Sequence, residues 1–200
     1  MAQDRSATQH EIRALTLETF PAWLALAQKH NGVWGGCFCS YFHGDTEATV
    51  KREHDGPTFK RRLVAEGVAH AAIVFDGEQA IAWCQYGSPA ELPNIYRRKQ
   101  YDAGESRPAP WRITCFFVDR DHRRSGVARE ALDGALALIA QAGGGEVVSF
   151  PNEIPEGTRT SSSFLHNGTR AMFEQAGFVF ERSIGKRKTV MRRTVAPAAR

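Results

Sequence analysis

The spacing of apolar residues divides the chain into a short series of helices and strands. Residues 10–17 predict a first strand, and Pro21 then sits in the first turn of a predicted helix. Trp23, Leu24 and Ala27 share one face of that helix, and Asn31-Gly32 closes it. The stretch 34–43 is aromatic, Gly-rich and Cys-rich and follows neither the helical nor the strand period. A second helix is predicted from Pro57, with Phe59 and Leu63 on one face and Gly67 as its stop. The clearest β pattern follows. Apolar runs at 69–75 and 79–86 flank Asp76-Gly77-Glu78, and Asp-Gly tolerates the positive φ of a tight turn, so the two runs predict an antiparallel hairpin.

Residues 88–110 form a long connection containing Pro89, Pro93, Pro108 and Pro110, with one short helix expected in its basic, aromatic middle, 94–101. Residues 111–118 are a dense apolar run and read as a buried strand. From 124 to 142, Ala128, Ala131, Leu132, Ala135 and Ile139 recur at helical spacing until Gly143-Gly144-Gly145 ends the pattern. A buried strand at 146–150, a Ser/Thr-rich loop reaching Asn167, a short helix at 169–175 and strands at 178–184 and 189–195 complete the chain. The order is βαα, three strands, then αβαββ. Internal repeats, low-complexity tracts and linkers are absent from the sequence, so one domain is expected over 1–200, with its core at about 10–195.

Composition adds little to this pattern. Hydrophobic residues at 42% and charged residues at 24% are those of an ordinary soluble globular protein. The net charge of +4 suits an anionic ligand and is too small to argue for nucleic acid, which is not expected as a partner. The polar start, 1–13, lacks the apolar core of a signal peptide, and no run is long enough to span a bilayer. A cytoplasmic protein without membrane contact is expected, with Cys37, Cys39, Cys84 and Cys115 as reduced thiols.

The informative stretch runs from Phe116 to Arg129: a buried strand ends at Val118, a polar turn follows, and a helix opens with Gly126 and small residues around it. The first amides of a helix lack internal partners and carry partial positive charge, so such a start accepts a pyrophosphate. Gly126 and Ala128 leave room for close approach, while Arg123, Arg124 and Arg129 supply charge-assisted bonds. A solvated charged turn between strand and helix explains the same residues equally well.

At these residues the chain resembles the GNAT superfamily of acetyltransferases. The family signature Gln/Arg-x-x-Gly-x-Gly/Ala reads here as Arg123-x-x-Gly126-x-Ala128 after Val118. The segment Met172-Phe173-Glu174-Gln175-Ala176-Gly177-Phe178 is similar to the family helix that ends in Gly-Phe before the last two strands. The resemblance implies an α/β (α+β) acyl-CoA N-acyltransferase fold, with a mixed, mostly antiparallel central sheet and helices on both faces. It implies acetyl-CoA as co-substrate, no metal, and direct transfer to a primary amine of a small molecule or peptide. A homodimer is compatible with it. Phe116, Phe117 and Val118 would lie along the pantetheine arm and the acetyl group, on a strand splayed from the strand near Val147. The Val118 backbone N–H would be the oxyanion donor. Arg123, Arg124, Ser125, Gly126, Val127, Ala128 and Arg129 would hold the pyrophosphate, and Asn167 and Phe173 would complete the cofactor site. Trp34, Phe38, Tyr41 and Phe42 would line the acceptor pocket.

The chain departs from the family at its proton-transfer groups. Phe173 stands where many members carry a Tyr acid, and Ser149 stands near the position of a strand Glu base. A non-catalytic acyl-CoA-binding module is therefore a second reading. His43, His122 and His166 are the groups that titrate near neutrality, and His43 is the expected base because it follows the aromatic loop; Tyr101 and Glu105 are rivals. Residues 96–99 (Tyr-Arg-Arg-Lys) read as a lid over an acidic group or as a solvated face. Cys37-x-Cys39-x-x-x-His43, with His30 or His54, invites a zinc reading, but the spacing matches no common zinc pattern and buried thiols explain it better. Cys84 and Cys115, on successive strands, are expected to be neighbours. The basic residues between Arg182 and Arg193 lack the stacking aromatics of an RNA surface.

Overall fold

The computed structural model describes residues 10–44, 55–105, 107–155, 157–158, 160–161 and 164–199. Its elements are β1 (Glu11–Ala14), α1 (Phe20–Lys29), α2 (Gly56–Ala65), β2 (His70–Asp76), β3 (Gln79–Gly87), α3 (Arg98–Ala103), β4 (Trp111–Val118), α4 (Val127–Gln141), β5 (Gly145–Ser149), α5 (Arg170–Gln175), β6 (Val179–Ser183) and β7 (Thr189–Val195). Short 3₁₀ turns cover Arg120–His122 and Phe164–Asn167. The strands form one seven-stranded sheet in the order β1-β2-β3-β4-β5-β7-β6. β4 and β5 are parallel, and every other neighbouring pair is antiparallel.

Two of the predicted helices are displaced. Arg98–Ala103 replaces the helix expected over 94–101, because Arg97 at φ 61° blocks a right-handed start, and the Arg98–Asp102 pair one turn apart supports the later one. The long helix starts at Val127 rather than 124, because Arg124 and Gly126 both have positive φ (65° and 90°).

The sheet buries both faces. Trp23, Leu26, Phe59 and Leu63 from α1 and α2 pack on Ile73, Phe75, Trp83, Cys115 and Phe117. On the other face Val127, Ala131, Leu132, Ala135 and Ile139 of α4, with Phe173 of α5, pack on Ala72, Val74, Ile81, Cys84, Ile113 and Phe116. Cys84 and Cys115 thus lie on opposite faces, which corrects the expectation that they are neighbours. The face changes along β4 because the register with β3 shifts. Tyr86 pairs with Ile113 and Gln85 with Cys115, which leaves Thr114 as the extra residue of a β-bulge.

Behind the sheet, Arg192 of β7 is buried and gathers the carboxylates of Glu105, Glu146 and Glu181. Glu105 belongs to the long connection, so this hub clamps that connection to the edge of the sheet. No helix among the described residues is long and apolar enough to cross a membrane.

Candidate active site at the β4–β5 split

The bulge at Thr114 coincides with the point where β4 and β5 part. They pair only from Trp111–Val147 to Ile113–Ser149, and β4 then runs on to Val118 paired with β3 alone. Asn167 holds this point: its Nδ2 donates to the Thr114 carbonyl. Beyond it opens a cleft of about 600 Å³, lined by Phe116, Phe117 and Val118 on one side, the start of α4 on the next, and Leu165, His166, Gly168, Thr169 and Met172 on the third.

Backbone alternation aims Val118 into this opening. The Asp119 N–H donates to Ile81 O of β3 at 2.8 Å, so the preceding N–H and C=O point to the other edge, which β5 has left. The Arg123 guanidinium reaches the Val118 carbonyl from that side, at 3.4 Å.

The turn after Val118 is built by Asp119. This carboxylate is fully buried. It accepts from Asp121 N–H at 3.1 Å and caps the 3₁₀ turn. It also accepts from Lys29 Nζ at 2.7 Å and contacts His30 Nε2 at 3.2 Å, both at the end of α1. Burial alone would raise its pKa, but Lys29, the Asp121 amide and His30 outweigh that and hold it below the usual carboxylate range. Sequence reading missed this residue; an Asp placed between a strand end and a short polar turn is the signal that marks it.

Ser125 Oγ closes the turn on His122 O at 2.6 Å and does not line the cleft. Arg124 and Gly126 have positive φ and flank Ser125, which does not. Such alternation turns successive N–H groups toward one point and makes an anion-binding concavity. Arg129 N and Glu130 N both bond back to Gly126 O, so the earlier amides of Val127 and Ala128 have no partner within the helix. A Cβ at Gly126 would meet no atom within 4 Å, so the space over this turn is open. Of the arginines here, Arg129 is already paired with Asp133, at 2.9 Å.

Phe117 and His166 connect the cleft to the aromatic loop. Trp34 packs edge-on to Phe117 (5.9 Å between ring centres) and against His166 (6.3 Å). Tyr96 lies 5.4 Å from His166 and stacks on Tyr41, with Phe42 beside both. Phe38 turns the other way, onto Gly32 and onto Gly56 at the start of α2. The loop is strained. Asn31, Val33, Trp34, Phe38 and Cys39 all have positive φ, at a cost of roughly 1–2 kcal/mol for each such residue.

Like Ser125, the expected site residues Trp34, Phe38, Tyr41, Phe42, His43, Asn167 and Phe173 do not line the cleft. His43 is absent from the cleft lining. Its Nδ1 donates to Glu91 O at 3.0 Å, and its Nε2 accepts from Lys60 Nζ (3.1 Å) and Gln85 Nε2 (3.2 Å). Burial and the neighbouring Lys60 charge push its pKa down to about 2, so it is a neutral, fully engaged core histidine rather than a base. Phe173 is buried between Phe116 and Phe178 and carries packing only. Asn167 holds Thr114 and accepts from Lys188 Nζ, so it shapes the cleft without lining it. Lys188 was unforeseen. Burial brings its pKa down to about 7, and its Nζ lies 5.3 Å from the Tyr96 ring. Nothing in the Gly185–Lys188 turn distinguishes it from its exposed basic neighbours.

Of the other residues weighed for chemistry, His122 lines the cleft from the turn after β4, and the rest fall outside it. Tyr101 and Glu105 belong to the Arg192 hub region, and Arg98 of the expected lid pairs with Asp102. Among the described residues no group of three or more His, Cys, Asp or Glu side chains is placed to hold a metal; His54 lies outside them. A second hollow of about 700 Å³ lies beside β7, but its Arg107, Arg129 and Arg192 are already matched by Glu146, Asp133 and the hub carboxylates.

No protein-family model matches the chain. No curated protein matches it either. Solved structures do. One is described as an acetyltransferase of the GNAT family, from Desulfovibrio desulfuricans, with a TM-score of 0.54 at 14% identity, over 94% of this chain and 100% of that one. PaiA N-acetyltransferase from Thermoplasma acidophilum, in complex with coenzyme A, gives 0.52 at 12% identity over 93% and 99%. YhbS of Escherichia coli, a GNAT family N-acetyltransferase in complex with CoA, gives 0.50 at 15% identity over 98% and 86%. With its split β4–β5 pair and its seven-stranded sheet between helical layers, this chain has the fold of the GNAT acetyltransferases.

Proposed function

We propose that the protein is an N-acetyltransferase that moves the acetyl group of acetyl-CoA directly to a primary amine of a small molecule or peptide. One observation carries this reading: the split between β4 and β5 opens onto the same cleft as the amide-rich start of α4. A pyrophosphate then sits on the turn from Arg123 to Arg129, and the pantetheine arm runs along Phe116 and Phe117 toward Val118. The bound thioester supplies an activated acyl carbon. The Val118 N–H stabilises the oxyanion formed when the amine attacks that carbon.

The cleft lining contains no carboxylate and no tyrosine, but it contains two histidines: His122 in the turn after β4, and His166, which lies beside the aromatic loop where the acceptor would enter. His166 takes the proton that the attacking amine releases, in place of His43. CoA leaves as a thiolate, since a thiol pKa near ~8.5 needs no strong acid. The aromatic wall of Trp34, Tyr41, Phe42 and Tyr96 faces the acceptor. The same lack of carboxylates supports the second reading, a module that binds acyl-CoA without turnover.

The test is release of free CoA thiol from acetyl-CoA across panels of small amines and peptides, with coenzyme binding followed by calorimetry. Amine-dependent thiol release that falls at least tenfold in His166→Gln, with coenzyme affinity retained, is the expected result. Saturable binding with no release on any panel supports the second reading, and no binding at all refutes both.

A further inference from the structure

A buried thiol pair lies behind the cleft and takes no part in the proposed transfer. Cys39 lies within the aromatic loop and Cys115 follows the bulge of β4; their sulfurs are 3.2 Å apart. Both side chains are almost wholly buried. The Trp83 indole N–H donates to Cys39 Sγ at 3.2 Å, so this sulfur already accepts a hydrogen bond on one side and touches a second sulfur on another.

The surroundings favour charge separation. Lys60 is 1% exposed, and its ammonium has Cys39 O at 3.4 Å, His43 Nε2 at 3.1 Å and the Trp23 ring at 5.8 Å as neighbours. Among the described residues no carboxylate pairs with it, and the acidic groups that face it are the thiols of Cys39, Cys115 and Cys37. A buried cation without a carboxylate must lose its proton or find another anion. Burial brings the Lys60 pKa down to about 8, which still leaves it mostly charged at neutrality. Burial raises the Cys39 thiol, but the Cys115 S–H, the Lys60 charge and the Trp83 N–H outweigh this and set it below the ordinary thiol value. Cys115 is pushed well above that value, first by its bond to Cys39 and then by burial. The thiolate is therefore favoured at Cys39 over Cys115.

We propose that Cys39 and Cys115 are an oxidisable dithiol, which a small hydroperoxide converts to an intramolecular disulfide joining the aromatic loop to β4. The Cys39 thiolate attacks one peroxide oxygen and the O–O bond breaks. The leaving oxygen takes a proton, and Cys39 becomes a sulfenic acid, oxidised by two electrons. Cys115 sulfur then attacks Cys39 sulfur. The S–O bond breaks, and the departing hydroxyl leaves as water with the Cys115 proton. With hydrogen peroxide, two thiols and one peroxide give one disulfide and two waters. Burial excludes larger oxidants, and the strained residues 31–39 are the part of the shell best placed to open for a small one.

The test uses the full-length protein and hydrogen peroxide. After treatment, remaining thiols are alkylated under denaturing conditions, followed by intact mass and a non-reducing peptide map. The expected outcome is a fall from the four free cysteines to two alkylated ones, with a single cross-link between the Cys39 and Cys115 peptides. Reduction by a phosphine restores all four. Cys84→Ser still forms the cross-link, and Cys115→Ser does not. The proposal is overturned if the wild-type map shows Cys39 and Cys115 unoxidised after Cys37 has reacted, or shows either of them bridged to Cys37 instead. The wild-type map decides the matter even if a variant fails to fold.

Discussion

Gly126 gives the sharpest test of the pyrophosphate turn, because two substitutions there share one cost and differ in another. Its φ of 90° lies in the left-handed region, and a Cβ built on it meets nothing within 4 Å. Gly126→Ala and Gly126→Asp therefore incur the same backbone penalty, roughly 1–2 kcal/mol, and no steric one. Either variant should melt about 2–8 °C below wild type. Only aspartate adds charge. The open side of the turn is where phosphate would sit, so the new carboxylate comes within about 4 Å of it. At an effective dielectric near ~20, two unit charges at that distance repel by about 4 kcal/mol, roughly a thousandfold in affinity. Neighbouring arginines and salt trim this, so a loss of at least about a hundredfold relative to Gly126→Ala is expected at low ionic strength. Calorimetric titration of both variants with CoA, at matched salt, measures the difference. If Gly126→Asp binds within about threefold of Gly126→Ala, phosphate does not sit at this helix start.

Asp119→Ala removes a buried acceptor from Asp121 N–H, Lys29 and His30 at once, and should cost about 2–4 kcal/mol in urea unfolding. Coenzyme affinity should fall with it, because the turn loses its anchor to α1; unchanged affinity with reduced stability would show that the turn holds its own shape. Acid should weaken the fold through Asp119 and Glu105, both of which have pKa values below the ordinary carboxylate range. Between the unfolded values of ~3.9–4.3 and the lower folded ones, the unfolded chain binds more protons, so their contribution is whole above about pH 5 and drains away below about 4. A melting temperature that stays level from pH 5 to pH 3 would contradict this. Phe173→Tyr places a hydroxyl in the contact with Phe116 and Phe178 and should cost about 1–3 kcal/mol without raising thiol release. Unaltered stability with faster turnover would mean the new hydroxyl had reached the cleft.

What the sequence disclosed follows from how local each feature is. β4 and β7 have the boundaries that their apolar runs predict, Trp111–Val118 and Thr189–Val195. The hairpin of β2 and β3 was legible because Asp76-Gly77 determines its turn without help from elsewhere. The glycine turn was legible as a motif, but the start of its helix was misplaced. Apolar spacing reports which face is buried, whereas the true start depends on the left-handed Arg124 and Gly126. His43 shows the opposite limit. As a histidine beside an aromatic loop it reads as a base, yet its state is decided by Lys60, Gln85 and Glu91, all distant in sequence. The meeting of Cys39 with Cys115 is likewise set by tertiary packing, and so is the burial of Lys188.

The bulge at Thr114 joins these pieces, and no Gly or Pro marks it. The extra residue falls where β4 stops pairing with β5, at the mouth of the cleft. The bulge also decides which way Cys115, Phe116 and Phe117 point. Phe116 faces α4 and α5, while Cys115 and Phe117 face α1 and the aromatic loop. An irregular strand segment needs outside support for its freed backbone groups, and here Asn167 supplies it by donating to Thr114 O. Asn167 is in turn held by Lys188. A buried amide from the turn at Phe164–Asn167 thus supports the irregular point at which β4 parts from β5, and the free edge beyond it carries the Val118 amide on which the proposed chemistry depends.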